Sequence, residues 1–138
     1  ANGFIRLQGL IFMHKSKLCG FIIDCQTDDV NTAADFWGSA LGMQVKKLPK
    51  EEGEKYVRLL DPTEHLHIEV QKVSHESRVH LDIETDNIEA EVARLEKLGA
   101  KRIKQIHTWW VMEAPTGQRF CVVRQSSKNF DQQATVWK

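Results

Sequence analysis

Hydrophobic and polar residues alternate with a period of two in several short segments of the chain. In residues 78–84 the apolar positions are Val79, Leu81 and Ile83, and polar residues fill the places between them. Because successive side chains of a strand point to opposite faces, this pattern predicts a strand with one apolar and one polar face. The same reasoning predicts further strands at 19–25, 44–48, 55–60, 66–72, 101–107, 109–113 and 119–125.

Two segments repeat their apolar residues at the spacing of a helix instead. The predicted buried stripes are Val30, Ala33, Ala34, Trp37 and Leu41 in the first helix and Ile88, Val92 and Leu95 in the second. Asp28 and Asp86 are the predicted N-caps, and Glu89 completes a capping box with Asp86. Gly42 and Gly99 stand where a left-handed residue ends each helix.

This order of elements occurs twice along the chain. Residues 22–37 align with residues 80–95, so that Asp24 meets Asp82 and Thr27 meets Thr85. Such internal similarity is typical of one supersecondary unit used twice, and neither copy is big enough to be stable alone. We therefore predict an α+β protein in which two βαβββ modules form an eight-stranded, cup-like mixed sheet with helices on the outside. The predicted modules are 18–73 and 77–125 within one domain at 18–125, with an N-terminal extension at 1–17 and a C-terminal tail at 126–138.

Composition restricts the classes of partner. The 138 residues suit a single domain. Lys+Arg and Asp+Glu number 19 each, and no basic stripe occurs, which argues against nucleic acid. No apolar run approaches the roughly 20 residues that span a bilayer. Residues 1–12 lack the features of a signal peptide, and Met13 resembles a natural start. Three cysteines without CxxC spacing predict free thiols and a cytoplasmic location.

The polar faces of the predicted strands carry the candidate chemistry. The predicted catalytic residues are Glu69 and His80, and the predicted substrate-binding residues are Asp24, His67, Asp82, Trp110, Arg119 and Cys121. Imidazole titrates near neutrality and suits a general base, while enclosed carboxylates separate their pKa values into an acid and a base. A solvated sheet face, a structural role for Asp24 and an inert buried thiol at Cys121 are the alternative interpretations.

Three stretches, FIIDCQTDDVNTAADFWGSALGM, RVHLDIETDNIEAEVARLEKLGA and WVMEAPTGQRFCVV, resemble the vicinal-oxygen-chelate superfamily of glyoxalase I, extradiol dioxygenases and bleomycin-resistance proteins. The bacterial glyoxalase-like branch is the most similar. The resemblance implies paired modules around a cup, a homodimer and, in the enzymes, a divalent metal such as zinc, nickel, manganese or iron. The family's four ligand positions fall on Ile22, Glu69, His80 and Cys121. Ile22 cannot ligate, and Cys121 offers a thiol where the family has a glutamate. Glu69 and His80 keep the family's residue types and are the implied metal ligands.

Two functions follow from this resemblance. The first is a cytoplasmic enzyme that binds a small organic molecule and performs lyase or isomerase chemistry next to a carbonyl or hydroxyl, with Glu69 or His80 as the base. The second is a drug- or toxin-binding protein of the bleomycin-resistance type, without metal or catalysis. Retention of Glu69 and His80 favours the first function, and the apolar residue at Ile22 favours the second.

Overall fold

The computed structural model describes residues 13–138, so the expectations for residues 1–12 lie outside the described residues. The strands are β1 (His14–Gln26), β2 (Gln44–Lys47), β3 (Tyr56–Leu60), β4 (His67–Val73), β5 (Arg78–Thr85), β6 (Lys101–Ile106), β7 (Trp109–Glu113), β8 (Arg119–Arg124) and β9 (Thr135–Trp137). The helices are α1 (Val30–Leu41), α2 (Glu52–Lys55), α3 (Ile88–Lys97) and α4 (Phe130–Gln133). The predicted α+β class with two βαβββ modules is confirmed.

The chain divides into two compact units, residues 20–81 (the first unit) and residues 13–19 with 82–138 (the second unit). In the first unit the strand order is β2-β3-β4-β1, with β1 parallel to β4 and the other pairs antiparallel. In the second unit the order is β5-β8-β7-β6. Each module therefore places its fourth strand beside its first, and this shared topology is the structural basis of the internal repeat.

The core of the first unit lies between α1 and one face of its strands. Its buried members are Ile23, Val30, Ala34, Val57, Leu59, Ile68 and Val70. The predicted stripe of α1 is thus confirmed at Val30 and Ala34. The apolar residues of the strand predicted at 66–72 that lie in the core are Ile68 and Val70. Leu41 is an error in the predicted stripe, because it is 44% exposed and the stripe continues instead at Gly38, four residues after Ala34. A Cβ at Gly38 would lie 2.7 Å from Val45 Cγ2, so glycine lets the helix approach β2.

The core of the second unit is formed by α3 with β7 and β8. Val92, Leu95, Met112 and Val122 are its buried members. Of the three residues on the predicted apolar face of β5, Ile83 packs against this core. Val79 and Leu81 are 59% and 52% exposed.

The two N-cap predictions were wrong by one residue each. Asp29 caps α1, because its Oδ1 accepts a hydrogen bond from Asn31 N–H at 3.0 Å. Asn87 caps α3 by accepting from Ala90 N–H at 3.0 Å. Asp86 accepts from Lys15 N–H instead, at 2.9 Å. Adjacent cap-forming residues at both sites made the sequence ambiguous. The predicted left-handed glycines are confirmed, with φ of 69° at Gly42 and 107° at Gly99.

This correction gives a matched pair of variants. Asp29→Ala removes the acceptor for Asn31 N–H and for the Thr32 hydroxyl at 2.7 Å, so we expect the melting temperature to fall by a few degrees. Asp28→Ala removes only an exposed side chain and should leave it unchanged. Thermal unfolding followed by circular dichroism measures both. A larger effect of Asp28→Ala than of Asp29→Ala would show that Asp28, as the sequence suggested, is the cap.

The C-terminal segment is attached to the start of β1. β9 pairs antiparallel with His14–Ser16, and Trp137 Nε1–H donates to Ser16 Oγ at 2.8 Å. The guanidinium of Arg94 stacks 3.8 Å from the centre of the Trp137 ring and also bonds Glu91 through two nitrogens. β1 consequently begins five residues before the predicted strand, because its early residues have partners that lie far away in sequence.

The helices of residues 13–138 are all too short or too polar to cross a bilayer.

Candidate functional site

The first unit has a face opposite its core that carries polar side chains on adjacent strands. Between β3 and β4, the register pairs Arg58 with Glu69 and Tyr56 with Gln71. Between β4 and β1, it pairs Gln71 with Asp24. Directly paired residues share a face, and the alternate residues of these strands are in the core, so these side chains lie together on the opposite face. We call Asp24, Tyr56, Arg58, His67, Glu69 and Gln71 the polar face.

His80 joins the polar face through Asp24. The Asp24 Oδ2 atom lies 2.6 Å from His80 Nδ1, and the two side chains are 2% and 13% exposed. Arg78 Nε lies 3.9 Å from the same carboxylate oxygen. Sequence reasoning named both Asp24 and His80 as site residues but did not predict the contact between them. The Asp24–His80 contact joins residues 56 positions apart, and no local pattern signals it.

Glu69 lies on the same face and contacts a second histidine. Its Oε2 atom is 3.2 Å from His67 Nε2, with the side chains 17% and 30% exposed. Beside them, Gln71 Nε2–H donates to the Tyr56 hydroxyl at 3.0 Å. The structure thus brings together four of the predicted site residues in the first unit, namely Asp24, His67, Glu69 and His80.

Two shielded polar atoms in the first unit have no hydrogen-bond partner within the described part of the chain. One is Asp24 Oδ1, the second oxygen of the carboxylate that holds His80. The other is Arg58 Nε. Shielded polar groups of native proteins are nearly always bonded, so such atoms indicate ligand or water contacts. Sequence reasoning missed Arg58, although the alternation in YVRLL placed it opposite the buried Val57 and Leu59.

The remaining predicted site residues lie in the second unit, on two different faces. Asp82 and Cys121 have ligand atoms within 4.8 Å of each other. Arg119, two residues from Cys121, bonds Glu113 at 3.2 Å. Trp110 pairs with the core residue Val122 and packs against the core under α3, so it lies on the opposite face from Cys121.

Trp110 lines a cavity of about 390 Å³ between the first turn of α3 and the β6–β7 turn. The Arg102 guanidinium lies 5.1 Å from the centre of its ring. Asp86, Glu89, His107 and Arg124 are among the other lining residues. The predicted substrate-binding residue Trp110 is therefore next to a cavity, which lies in the second unit.

The three cysteines are free. Burial, reinforced by the nearby charges of Glu84 and Asp82, raises the pKa of Cys19 to about 12. Burial also raises the pKa of Cys25. Thiolate is the nucleophilic form, so neither residue suits nucleophilic chemistry near neutral pH.

Glu69 and His80, the implied metal ligands, both lie in the first unit. A structural or catalytic zinc takes three or four protein ligands. Within residues 13–138, Glu69 belongs to no group of three or more His, Cys, Asp or Glu side chains with ligand atoms within 4.8 Å of one another. In the first unit Glu69 has only His67 as a neighbouring ligand, and His80 Nδ1 is bonded to Asp24. Metal binding by Glu69 and His80 stays a prediction, and no catalytic step below depends on a metal.

Comparison with solved structures identifies the fold. A hypothetical protein from Bacillus halodurans C-125 aligns with a TM-score of 0.58 and 12% identity, over 80% of this chain and 96% of that one. An NAD-dependent benzaldehyde dehydrogenase from Legionella pneumophila gives 0.56 and 9%, over 76% and 99%. A methylmalonyl-CoA epimerase in complex with methylmalonyl-CoA gives 0.51 and 12%, over 82% and 97%. At these identities the similarity establishes the fold alone.

The repeated βαβββ topology and these alignments define a protein of the vicinal-oxygen-chelate fold. The family model of the glyoxalase-like domain matches residues 20–123, most of the chain, and the protein belongs to that family. The predicted membership is confirmed. No curated protein sequence matches the chain.

Proposed function

We propose that the protein binds a small organic molecule at the polar face of the first unit and moves a proton on a carbon next to a carbonyl, as an isomerase does. The observation that carries the proposal is the 2.6 Å contact between Asp24 Oδ2 and His80 Nδ1. Membership of the glyoxalase-like family and the fold shared with a methylmalonyl-CoA epimerase support it.

The contact gives the imidazole a defined role. A carboxylate beside Nδ1 holds the proton on that nitrogen and leaves the lone pair on Nε2, as in other carboxylate–histidine pairs of enzymes. Nε2 is then the atom that accepts a proton from the substrate carbon, and Asp24 stabilises the imidazolium that forms. Because Asp24 Oδ2 is engaged with Nδ1, Asp24 positions His80 in this step and does not itself take the proton.

Glu69 has the second role in this proposal. Its carboxylate is 17% exposed and lies 3.2 Å from His67, so it is accessible to a ligand and has a neighbour that can share a proton. In an isomerisation the proton returns to a different position or face, which requires a second group. We assign that step to Glu69, with His67 holding the carboxylate in place.

Isotope exchange tests the proposal. In D₂O the protein should incorporate deuterium at the carbon next to the thioester carbonyl of methylmalonyl-CoA, or next to the keto carbonyl of a simpler oxo acid. NMR follows the incorporation. His80→Gln should slow the exchange by about 10³-fold, and Asp24→Asn by about 10²-fold or more, because general-base catalysis contributes factors of this size. His65→Gln, which changes an exposed histidine of the same unit, is the matched control and should exchange at the wild-type rate. Equal rates in His80→Gln and wild type would refute the proposal.

The alternative is a binding protein of the bleomycin-resistance type, without catalysis. Ile22, where the family's first metal ligand falls, is 4% exposed and apolar, and this favours the alternative. Ligand-induced thermal shifts that occur without metal and without deuterium exchange would support it. Exchange that His80→Gln abolishes would exclude it.

We also propose that the protein is a homodimer. Val79 and Leu81 are more than half exposed on one face of β5, and large exposed apolar side chains often mark interfaces between subunits. Sedimentation velocity should give a dimer for the wild type and a monomer for Leu81→Glu. Leu98→Glu, at a leucine 66% exposed, is the control and should stay dimeric. A wild-type monomer would end this proposal.

A further inference from the structure

Arg58 has an unusual environment for a cation. It stands in β3 between the core residues Val57 and Leu59, so its side chain must lie on the polar face. The side chain is half-buried, and its Nε atom is shielded from solvent without a hydrogen-bond partner in residues 13–138. Among residues 13–138, the nearby carboxylates of Glu69 and Asp24 form ion pairs with other residues and not with Arg58.

The nearest candidate counter-ion is already engaged. Glu69 is the direct cross-strand neighbour of Arg58, but its carboxylate is turned to His67 at 3.2 Å. Asp24 bonds His80 and lies 3.9 Å from Arg78. A guanidinium that is partly removed from water without an anion is destabilising, so a chain retains one mainly where a ligand supplies the anion.

We infer that the ligand of the polar face carries a carboxylate, which the Arg58 guanidinium binds through two parallel N–H···O bonds. This inference rests on the proposed function, since it concerns the same face. A planar carboxylate fits the guanidinium fork, and its single negative charge matches the single unpaired cation. A dianionic phosphate would need a second cation, and Arg78 on this face is already close to Asp24.

Register places the anion site at a defined distance from Asp24, the residue that holds the proposed base His80. Arg58 is in register with Glu69 and Glu69 with Ile22, while Asp24 is two residues further along β1. Strand spacing and rise put the Cα atoms of Arg58 and Asp24 about 10 Å apart across the strands and about 7 Å apart along them. The side chains of Arg58 and of the Asp24–His80 pair occupy part of this distance, and the remainder accommodates a short carbon chain. The substrate class is therefore a short oxo acid or acyl ester whose carboxylate is a few carbons from the reacting carbonyl.

Binding of 4-oxopentanoate and of its neutral methyl ester tests the inference. The acid should raise the melting temperature of the wild type at millimolar concentration, and the ester should do so much less. Arg58→Gln should weaken binding of the acid by about 10- to 100-fold and leave the weak binding of the ester unchanged, because a hydrogen bond to a charged group contributes in this range. Lys47→Gln removes the same charge from an exposed position on β2 and should bind the acid as the wild type does.

A second measurement separates ligand binding from a structural role. Without ligand, Arg58→Gln should melt at or above the wild-type temperature, because the substitution removes an unpaired, half-buried charge. A much lower melting temperature would show that Arg58 has a structural partner and would overturn the inference. Wild-type affinity for the acid in Arg58→Gln, no binding of the acid to the wild type, or Arg58-dependent binding of inorganic phosphate more tightly than the acid would overturn it as well.

The outcomes for the two proposals remain distinguishable. Arg58-dependent binding of the acid without deuterium exchange would support the anion site and refute the isomerase. Exchange that depends on His80 but not on Arg58 would refute the anion site and leave the isomerase intact.

Discussion

Gly20→Ala is expected to destabilise the protein by about 3 kcal/mol or more, and to lower the melting temperature by roughly 10 °C. A Cβ at residue 20 would lie 1.9 Å from the backbone oxygen of His67, and 2.7 Å from its carbonyl carbon. Both atoms belong to β4, which pairs with β1 in parallel, so no side-chain rotation relieves the overlap. The two strands must separate locally, and their hydrogen bonds lengthen.

Gly42→Ala is the matched control for this prediction. Gly42 has φ of 69°, but no heavy atom lies within 4 Å of a Cβ built there. The cost is then only that of an alanine in the left-handed region, about 1 kcal/mol. Urea unfolding of the two variants and the wild type gives both values. A Gly20→Ala variant no less stable than Gly42→Ala would mean that β1 and β4 are further apart than the structure has them.

The same position connects stability to the candidate site. His67 and Glu69 follow directly from the strand segment that the new methyl group would displace, and Ile22 and Asp24 follow on β1. We therefore expect a folded fraction of Gly20→Ala to lose ligand binding even at low temperature. Because Gly20 has no Cβ, β1 and β4 can lie close enough to place Asp24, His67 and Glu69 on one face.

Local sequence patterns predicted the elements but not their long-range contacts. β7, from Trp109 to Glu113, has the bounds that the sequence predicted. The left-handed Gly42 was also predictable, because the apolar period ends there and glycine tolerates positive φ. The first residues of β1 were not, since their partners are in β9, more than a hundred residues later.

The burial of charged side chains, like the long-range strand contacts, was not predictable from the sequence. Glu91 was expected on no buried stripe, yet it is fully buried and is held by His14 at 2.7 Å and by Arg94. A glutamate in an amphipathic helix is ordinarily solvated, and only the approach of the β1 N-terminal residues makes this one internal. The stripe pattern records hydrophobicity, so it misses a polar residue whose partners come from elsewhere in the chain.

In the candidate site, too, the local pattern was predictable and the contacts between strands were not. Strand alternation correctly placed Asp24, Glu69 and His67 on one face, because it depends only on period two. The pairing of Asp24 with His80 and the absence of an ion pair for Arg58 within the described residues depend on register between strands, which alternation does not determine.

Glu84→Gln is expected to destabilise the protein by about 3 kcal/mol. Sequence alternation placed Glu84 on a polar sheet face, but the structure buries it completely. Its Oε1 accepts hydrogen bonds from Ser126 N–H at 2.8 Å and Ser127 N–H at 3.0 Å. Its Oε2 accepts from the Ser127 hydroxyl and from Lys17 Nζ at 3.2 Å. An amide in this place presents an NH₂ group to donors, so at least one donor loses its acceptor and the Lys17 ammonium loses its counter-ion.

The pH dependence of stability gives an independent measurement. Burial alone would raise the pKa of Glu84, but the Ser127 hydroxyl, the two backbone N–H groups and Lys17 together hold it below its ordinary value of 4.5. Because folding lowers this pKa, the contribution of the carboxylate is complete above pH 4.5 and is lost as the pH falls through the lower folded-state value. The wild type should therefore lose stability below about pH 4.5, and Glu84→Gln should lose less of it over the same interval.

Glu89→Gln is the control for both measurements. Glu89 is 70% exposed and pairs with Arg102 at 2.8 Å, so its removal should cost less than about 1 kcal/mol. Its acid-induced loss of stability should follow the wild type. Denaturant unfolding between pH 3 and pH 7, about the interval in which glutamates titrate, compares the three proteins. If Glu84→Gln and Glu89→Gln lose the same stability at neutral pH, the carboxylate of Glu84 is solvated and the network that joins Lys17, β5 and the start of the C-terminal segment does not form in solution.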